Sequence, residues 1–353
     1  MSDRYQHSRL VEPDAFRLII LEPSLETTAP LDIAIITSKL SHYENDVLDC
    51  YIALSYVWGD QNDTRMVDIE GNKLEITASL ESALRHLRDA SRTMKVWADG
   101  ICINQIDNEE KGVQIRLMGK IYGLARSTII FLGETTPECH LVLDALYSST
   151  IEVGAKESVG GSTRSPDLLA IAEEHIMQRP WFTRVWVLQE LVLSLDPWIQ
   201  IGTRRVRWNT FTRLLDTGLN SQPGGGFQHL SSMNDARLSF PLPMAGDGTA
   251  SAYGTRLFST LISRRGAGVS DPKDMIWGHL GILGTNLLSA ELLAEFEKFV
   301  GKAYEKSTSD LYTGVALYLI KFAGGCRVLS HKEDVALQDR RPGLPSWAPD
   351  CKC

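Results

Sequence analysis

The sequence predicts an α/β protein with a central, mainly parallel sheet, followed by a mainly helical C-terminal region. Two patterns carry this prediction. Short apolar runs of strand length alternate with apolar residues at helical spacing between residues 51 and 193. Such alternation favours parallel strands joined by right-handed crossover helices. Beyond residue 250, the longer apolar patterns are again those of helices.

The N-terminal part contributes strands. Two short strands, at residues 16–21 and 33–36, are expected in a lead-in segment over residues 1–45. Residues 51–56 (YIALSY) then read as a buried strand that ends at Val57-Trp58-Gly59. A hairpin is predicted next, with residues 67–69 and 74–76 flanking Gly71-Asn72.

Helices and strands alternate in the following stretch. Apolar residues recur at helical spacing in residues 77–90, and residues 95–98 form a short strand that leads into Asp99. Asp107 with Glu110 three residues later has the spacing of a capping box, which predicts a helix start. Residues 127–132 complete the set as a third strand, and we expect the strands at 51–56, 96–98 and 127–132 to be parallel neighbours.

The later segments are expected to be less regular. Pro180 is suited to the first position of a helix, so one helix is predicted to carry residues 181–193. A hairpin of residues 198–201 and 205–208 is expected to follow. The remaining predictions are a loop at 151–167, a Gly/Pro/Ser-rich linker or long surface loop at 221–250, and helices at 290–306 and 310–322.

Composition limits the function classes. The net charge of −8 over 353 residues, with no block of Lys or Arg, argues against a general nucleic-acid binder. The six cysteines lack metal or redox spacing and are expected to be free thiols. Without a signal-peptide pattern, and with the apolar stretch 311–322 too short to span a bilayer, a cytoplasmic protein is expected.

Several common sites have no sequence signature here. The chain contains neither a Gly-x-Gly-x-x-Gly loop nor a Walker A loop, the two usual phosphate cradles. His, Cys and Asp residues do not cluster at metal-ligand spacing, and no Gly-x-Ser-x-Gly elbow occurs. We therefore expect no metal and no required cofactor.

Three stretches together resemble the heterokaryon-incompatibility (HET) family of filamentous fungi. They are YIALSYVWG at 51–59, VWADGICINQ at 96–105 and RPWFTRVWVLQE at 179–190. The resemblance places a HET domain at residues 46–200 and a mainly helical region at 201–353. Two later pieces, DPKDMIWGHLG at 271–281 and LPSWAPD at 344–350, also look like segments found downstream in such proteins. Ala98 and Gly100 depart slightly from the family pattern, which puts local packing in doubt.

HET domains are in turn remotely similar to TIR domains. This similarity implies a flavodoxin-like, three-layer fold. Some TIR domains cleave NAD at the nicotinamide–ribose bond with one glutamate, which follows a Trp-Cys-x-x-Glu-like pattern on a helix. Trp186-Val-Leu-Gln-Glu190 stands in a comparable place in this sequence. The similarity therefore implies NAD as a substrate, with Glu190 as the catalytic carboxylate.

The strand order independently locates a candidate site. In an open parallel sheet, ligands bind outside the carboxyl ends of the strands. The residues expected at or next to that edge, as ligand-binding candidates, are Ser55, Tyr56, Trp58, Gly59, Asn104 and Gln105. Asp99 is expected there as the second catalytic candidate. Trp58 is a candidate platform for stacking a base, or else a core aromatic. Asp99 could orient a ribose hydroxyl, or could cap the loop 100–105 by accepting backbone N–H groups.

The third motif supplies the other half of the candidate site. Glu190 lies among apolar residues with Trp186 one turn earlier, so its carboxylate is expected to be partly desolvated. A carboxylate near the ribose can stabilise the oxocarbenium-like state of N-glycosidic cleavage. The alternative is a structural glutamate paired with an arginine such as Arg184, which could instead contact a phosphate. We expect Trp58, Asp99, Arg184 and Glu190 to approach one cleft.

Two functions from different classes are open at this point. Both start from a HET-family effector of programmed cell death in fungal nonself recognition. In the first, the domain hydrolyses NAD; in the second, it is a non-enzymatic module that associates with itself or with an allelic or non-allelic incompatibility partner. The first needs an open pocket around Glu190, and the second needs an exposed apolar patch.

Overall fold

A computed structural model describes residues 4–44, 49–152, 166–214, 225–240, 249–282, 290–301, 304–323, 325–331 and 341–350. The chain forms two compact units, which interleave along the sequence. The first unit comprises residues 1–111, 121–182 and 194–235; the second comprises residues 112–120, 183–193 and 236–353. The predicted division of the chain near residues 45 and 200 stays a prediction.

The first unit is built on one nine-stranded sheet in the order β5-β4-β2-β1-β6-β3-β7-β8-β9. The strands are β1 (Ala15–Leu21), β2 (Asp32–Lys39), β3 (Ile52–Tyr56), β4 (Thr64–Ile69), β5 (Asn72–Thr77), β6 (Met94–Trp97), β7 (Ser127–Phe131), β8 (Pro197–Ile201) and β9 (Arg204–Arg207). The prediction of an α/β architecture is confirmed.

Four adjacent strands form the parallel centre of this sheet. β3 pairs in parallel with β6 on one side and with β7 on the other, and β7 pairs in parallel with β8. The predicted parallel neighbours are therefore confirmed. The residues of β3 and β7 are buried almost throughout, as expected for strands covered on both faces.

The prediction of a mainly parallel sheet is wrong, because the sheet is mixed. β1 pairs antiparallel with both β2 and β6, and two hairpins, β4-β5 and β8-β9, form its outer strands. Hairpins are antiparallel by construction, since a short turn reverses the chain. The strands of the N-terminal lead-in extend the same sheet. The sequence pattern of a strand predicts that it forms, but not which strand it pairs with.

The β4-β5 hairpin has a two-residue turn one position earlier than expected. Ile69 pairs with Asn72, so Glu70 and Gly71 form the turn, with φ values of 53° and 85°. Positive φ at both central positions is the geometry of a type I′ turn, which matches the twist of the flanking strands. Gly71 adopts this conformation without strain.

Helix α3 (Asn108–Leu124) starts at the Asp107 cap expected from sequence, and α1 (Ala78–Leu87), predicted as a helix at 77–90, is capped by Thr77. Thr77 accepts a hydrogen bond from the Leu80 N–H, and the Asp107 carboxylate accepts from the N–H groups of Glu109 and Glu110. The expected capping box is only half formed, because the Glu110 carboxylate binds elsewhere. The other helices of the first unit are α2 (Asp99–Cys102), α4 (Pro137–Glu152), α5 (Pro166–Ala172) and α7 (Trp208–Phe211).

The prediction of one helix from Pro180 to residue 193 is wrong. A short 3-10 helix, Pro180–Thr183, ends the first part, and α6 (Val187–Leu193) begins after a break. At the break, the Val185 N–H donates to the Gly268 carbonyl, and the Gly268 N–H donates to the Thr183 carbonyl. The backbone at 183–185 is thus used in a bridge to a distant segment and is not free for a helix.

The linker predicted at 221–250 is also partly wrong, since Gly225–Ser239 forms a helix, α8. Its buried residues Phe227, Leu230 and Met233 recur every three positions. Its first N–H groups, at Gly226 and Phe227, donate to the carboxylate of Glu173. A distant carboxylate therefore caps this helix, a signal that local sequence cannot carry. Residues 221–224 and 241–248 of this linker, and residues 153–165 of the loop predicted at 151–167, lie outside the described residues.

The second unit is helical in its C-terminal part. Its helices there are α9 (Ala250–Ser263), α10 (Asp274–Leu280), α11 (Ala290–Val300) and α12 (Thr308–Phe322). The predicted helices at 290–306 and 310–322 are confirmed, although the first stops before Gly301, whose φ is 72°. An aromatic-rich core including Tyr253, Phe296 and Tyr318 fills this unit, and Trp186 packs against it. Within the described residues, no helix is long and apolar enough to cross a bilayer.

Candidate functional site

The first half of the candidate site lies at the carboxyl ends of β3 and β6. These strands are parallel neighbours, so the segment after Tyr56 and the segment after Trp97 leave the sheet at the same edge. Trp58 follows the first strand and Asp99 follows the second. Both were expected at this edge from the sequence, and within the first unit the structure brings them together.

Trp58 and Asp99 are joined by a hydrogen bond. The indole Nε1 of Trp58 donates to Oδ2 of Asp99 at 2.9 Å. The other carboxylate oxygen, Oδ1, is buried and has no hydrogen-bond partner among the described residues. A buried carboxylate oxygen without a donor is costly, and such atoms often mark a place where a ligand or water donates. The side chain of Asp99 thus presents one occupied and one available acceptor.

Asp99 does not cap its loop in the way the structural alternative proposed. The N–H groups of Ile101 and Cys102 donate to the Ala98 carbonyl, and the Ile103 N–H donates to the Asp99 backbone carbonyl. That carbonyl also accepts from Nε2 of Gln105 at 2.8 Å. The loop is therefore held by main-chain and amide bonds, which leaves the Asp99 carboxylate to the indole.

Asn104 and Gln105 act first on the loop itself. Oδ1 of Asn104 accepts from the Ile106 N–H at 3.4 Å, a local turn contact. Together with the bond from Gln105 to Asp99, this fixes the path of the chain between α2 and α3. The structure shows these loop contacts, whereas their predicted contact with a ligand stays a prediction.

Tyr56 and Gly59 shape the backbone around the site. Tyr56 is 4% exposed, and its hydroxyl lies so close to Gly100 that a Cβ there would come within 2.6 Å. Gly100, a departure from the family pattern, is thereby explained as a close approach. Gly59 has φ of +72°, which a glycine adopts without strain.

Ser55 is an interior residue and not a residue of the site surface. It is 1% exposed, and its Oγ accepts a hydrogen bond from Nε1 of Trp181 at 2.7 Å. Trp181 is completely buried and belongs to the third motif. This bond connects the first and third motifs inside the first unit. Ser55 and Trp181 therefore have a structural role.

Sequence reasoning missed a buried ion pair beneath the site. Arg17 in β1 is 0% exposed, and its two terminal nitrogens donate to the two carboxylate oxygens of Glu110 at 2.7 and 2.8 Å. Arg17 also donates to the Cys102 carbonyl at 3.0 Å, and the Asn104 N–H donates to Glu110 at 2.8 Å. The signal was a lone arginine within an apolar strand run, FRLIIL.

This ion pair fixes the charge of Glu110. Burial raises the pKa of the Glu110 carboxyl, but the hydrogen bonds from Arg17 and Asn104 and the charge of Arg17 outweigh it, so the pKa is lowered overall. The arginine therefore ties β1, the loop after α2 and the start of α3 to one carboxylate. Such bidentate pairs are geometrically specific.

A second group of candidate residues belongs to the second unit. Glu190 in α6 is 5% exposed, with the buried residues Leu188 and Leu191 in the same helix. Its N–H donates to the Trp186 carbonyl at 3.3 Å, so Trp186 lies just before the helix, one turn from Glu190. The sequence predicted a partly desolvated glutamate on a helix, one turn after Trp186. The burial of Glu190 and its position in α6 confirm this. Arg184 is half-buried at the preceding break.

The predicted common cleft stays a prediction. Trp58 and Asp99 belong to the first unit, whereas Arg184, Trp186 and Glu190 belong to the second. Over the described residues, no group of three or more His, Cys, Asp or Glu side chains could hold a metal ion.

Cys102 is the buried thiol of the second motif. It is 0% exposed, and burial raises the pKa of its thiol to about 12. A thiol with this pKa is not a thiolate at neutral pH, so it cannot serve as a ready nucleophile. Cys102 therefore acts as a small buried hydrophobe.

Comparison with known proteins gives two matches. Residues 51–190 match the family described as heterokaryon incompatibility protein (HET). A curated relative, heterokaryon incompatibility protein 6, OR allele, from Neurospora crassa, is 30% identical over 259 residues. This alignment covers 60% of the chain and 37% of that relative, so the chain spans well under half of its length. No solved structure matches the chain.

Proposed function

Because residues 51–190 make this chain a member of the HET family, we propose that it acts in heterokaryon incompatibility as an effector of fungal nonself recognition and cell death. The similarity to a Neurospora heterokaryon incompatibility protein supports this role. We further propose that the effector reaction is hydrolysis of NAD at the nicotinamide–ribose bond. NAD is then a substrate, and no other cofactor is required.

The observation that carries this proposal is the available oxygen of Asp99. Its Oδ1 is buried without a donor at the carboxyl edge of parallel strands, where ligands of such sheets bind. A ribose hydroxyl is a donor of the right kind. The neighbouring indole of Trp58 is held in place by its bond to Oδ2 and can stack on a base.

Glu190 supplies the charge that the reaction needs. In the proposed step, the bond between ribose C1′ and the nicotinamide nitrogen breaks, and nicotinamide leaves as a neutral molecule. Water adds its hydroxyl to C1′ and releases a proton, which gives ADP-ribose. The positive charge that develops on the ribose is stabilised by a nearby carboxylate, and a buried one acts with little screening.

The direct test is incubation of the purified full chain with NAD, followed by chromatographic measurement of nicotinamide and ADP-ribose. We expect both products in equal amounts, and less of both with Asp99→Asn. A wild-type chain that releases no nicotinamide, even at high protein concentration, would contradict the enzymatic proposal.

A non-enzymatic interaction module is the second candidate. Ile106 offers this module one apolar contact residue, because its side chain is 91% exposed in the loop that follows Gln105. A self-association or incompatibility partner could bind an apolar side chain at that place. If the wild type is inactive on NAD but sediments as an oligomer that Ile106→Asp dissociates, the interaction module replaces the enzyme.

A further inference from the structure

We infer that α6, the helix of the third motif, is positioned by polar contacts from residues that follow the family match, and that Arg237 and Arg264 are positioning residues for Glu190. The helix has only seven residues, Val187–Leu193. A helix this short is not stable on its own in water, so its place must come from contacts. All contacts described below lie within the second unit.

The N-terminal side of α6 is held by the segment after α9. Gly268 pairs with the chain at 183–185 through two backbone hydrogen bonds, of 2.6 and 3.1 Å. Nη2 of Arg264 donates to the Arg184 carbonyl at 2.8 Å. Arg264 is 6% exposed, so this bond is made away from water and resists exchange with solvent.

The middle of α6 is held by the end of α10. The Gly281 N–H donates to Oε1 of Gln189 at 3.0 Å. A Cβ at Gly281 would lie 2.5 Å from that oxygen, and one at Gly278 would lie 3.3 Å from the Val185 side chain. The glycines therefore permit a close approach, and Gln189, next to Glu190 in sequence, is fixed by a main-chain donor.

The C-terminal side of α6 is held by Arg237. Its Nη1 donates to the Leu191 carbonyl at 2.6 Å and lies 3.5 Å from the Val192 carbonyl. The last carbonyls of a helix lack partners inside the helix, and a cation beside them also favours the helix dipole. Glu190 is thus flanked on both sides by backbone that downstream arginines bind.

This arrangement assigns a function to residues outside the matched segment. The match ends at residue 190, whereas Arg237, Arg264 and Gly281 all follow it. The part of the chain that positions α6 therefore extends to at least residue 281. The role given to Glu190 rests on the proposed function, but the positioning of α6 does not.

The test is hydrogen–deuterium exchange with mass spectrometry on the full chain and its variants. The amides of Gln189 and Glu190, which donate to the Trp186 carbonyl, report opening of α6. We expect Arg237→Ala to speed their exchange about tenfold, the effect of losing about 1.4 kcal/mol of local stability. Arg237→Lys, which keeps the cation, should restore part of the protection.

The matched control is Arg92→Ala, because the Arg92 side chain is 84% exposed and lies in the first unit. It should leave α6 exchange unchanged. If Arg237→Ala leaves exchange across residues 187–193 unchanged, or speeds exchange equally over the whole chain, the inference is overturned.

Activity separates this inference from the proposed function. Where the wild type releases nicotinamide, Arg237→Ala should lower kcat about tenfold without a matching change in KM. A wild type without activity whose α6 still opens locally in Arg237→Ala supports the positioning and counts only against NAD hydrolysis.

Discussion

Asp99 and Glu190 are the two carboxylates on which the proposed reaction depends, one with a buried oxygen that lacks a donor and one on a short helix. Their positions, after a strand and on an apolar helix, followed from the pattern and from the family resemblance. The hydrogen bond from Trp58 to Asp99 did not, because it joins residues 41 positions apart whose side-chain directions depend on the loop between them. Sequence placed the residues at the edge of the sheet, and the fold determined their contacts.

Glu190→Gln provides the first prediction. Glutamine keeps the shape of glutamate but removes its charge, so we expect nicotinamide release to fall a hundredfold to a thousandfold, about 3–4 kcal/mol of barrier. Thermal melting should change little. The control is Glu174→Gln, since the Glu174 side chain is 76% exposed. A variant that melts earlier and loses activity only in proportion to the unfolded fraction would identify Glu190 as structural.

His279 provides the second prediction at this scale. It is 0% exposed, and neither ring nitrogen has a hydrogen-bond partner among the described residues. Burial first, and then the charge of Arg264, lower the pKa of His279 from 6.5 to about 3. The folded chain therefore holds the neutral ring, whereas the unfolded chain binds a proton below pH 6.5.

The contribution of His279 to the free energy of unfolding is full above pH 6.5. It is lost as the pH falls towards 3, by up to about 1.4 kcal/mol per pH unit. His279→Leu should remove that part of the slope, measured by urea unfolding between pH 7 and pH 4. The exposed His229 provides the control, as His229→Leu. An identical slope in His279→Leu and wild type would show that the ring is protonated in the fold.

At the scale of elements, the predicted strands were more reliable than the predicted boundaries. The central strands β3, β6 and β7 are short and mainly apolar, and their parallel pairing followed from the crossover helices. The helix Gly225–Ser239 was missed because its cap, Glu173, lies more than 50 residues away. The break before α6 was missed for the same reason, since Gly268 supplies its backbone partner.

The Arg17–Glu110 pair links elements, and it yields the third prediction. Glu110→Ala would leave the fully buried arginine without its carboxylate, which we expect to cost about 3–5 kcal/mol of unfolding free energy. Urea unfolding of the full chain measures this loss. Glu109→Ala is the control, because Glu109 is exposed one residue earlier. Equal losses in the two variants would mean that the pair contributes nothing specific.

At the scale of the whole molecule, the matched segment depends on residues on both sides of it. Glu110 within the match is bound by Arg17 before it, and the carbonyls of α6 are bound by Arg237 after it. Glu173 caps the helix that begins at Gly225. Family resemblance located the motifs but could not show these long-range contacts, because in each of them at least one residue lies outside the matched segment.

The fourth prediction follows for a fragment of residues 46–200, the domain expected from the sequence. This fragment lacks β1, β2 and Arg17, so the sheet loses both strands between β4 and β6, and Glu110 loses its cation. It also lacks Arg237, Arg264 and Gly281, which hold α6. An unpaired buried carboxylate and open helix ends are each costly. We therefore expect the fragment to show no cooperative urea transition and little amide protection in α6, whereas the full chain shows both. Cooperative unfolding of the fragment, with α6 protected as in the full chain, would instead show that the motif segment folds independently of its flanking residues.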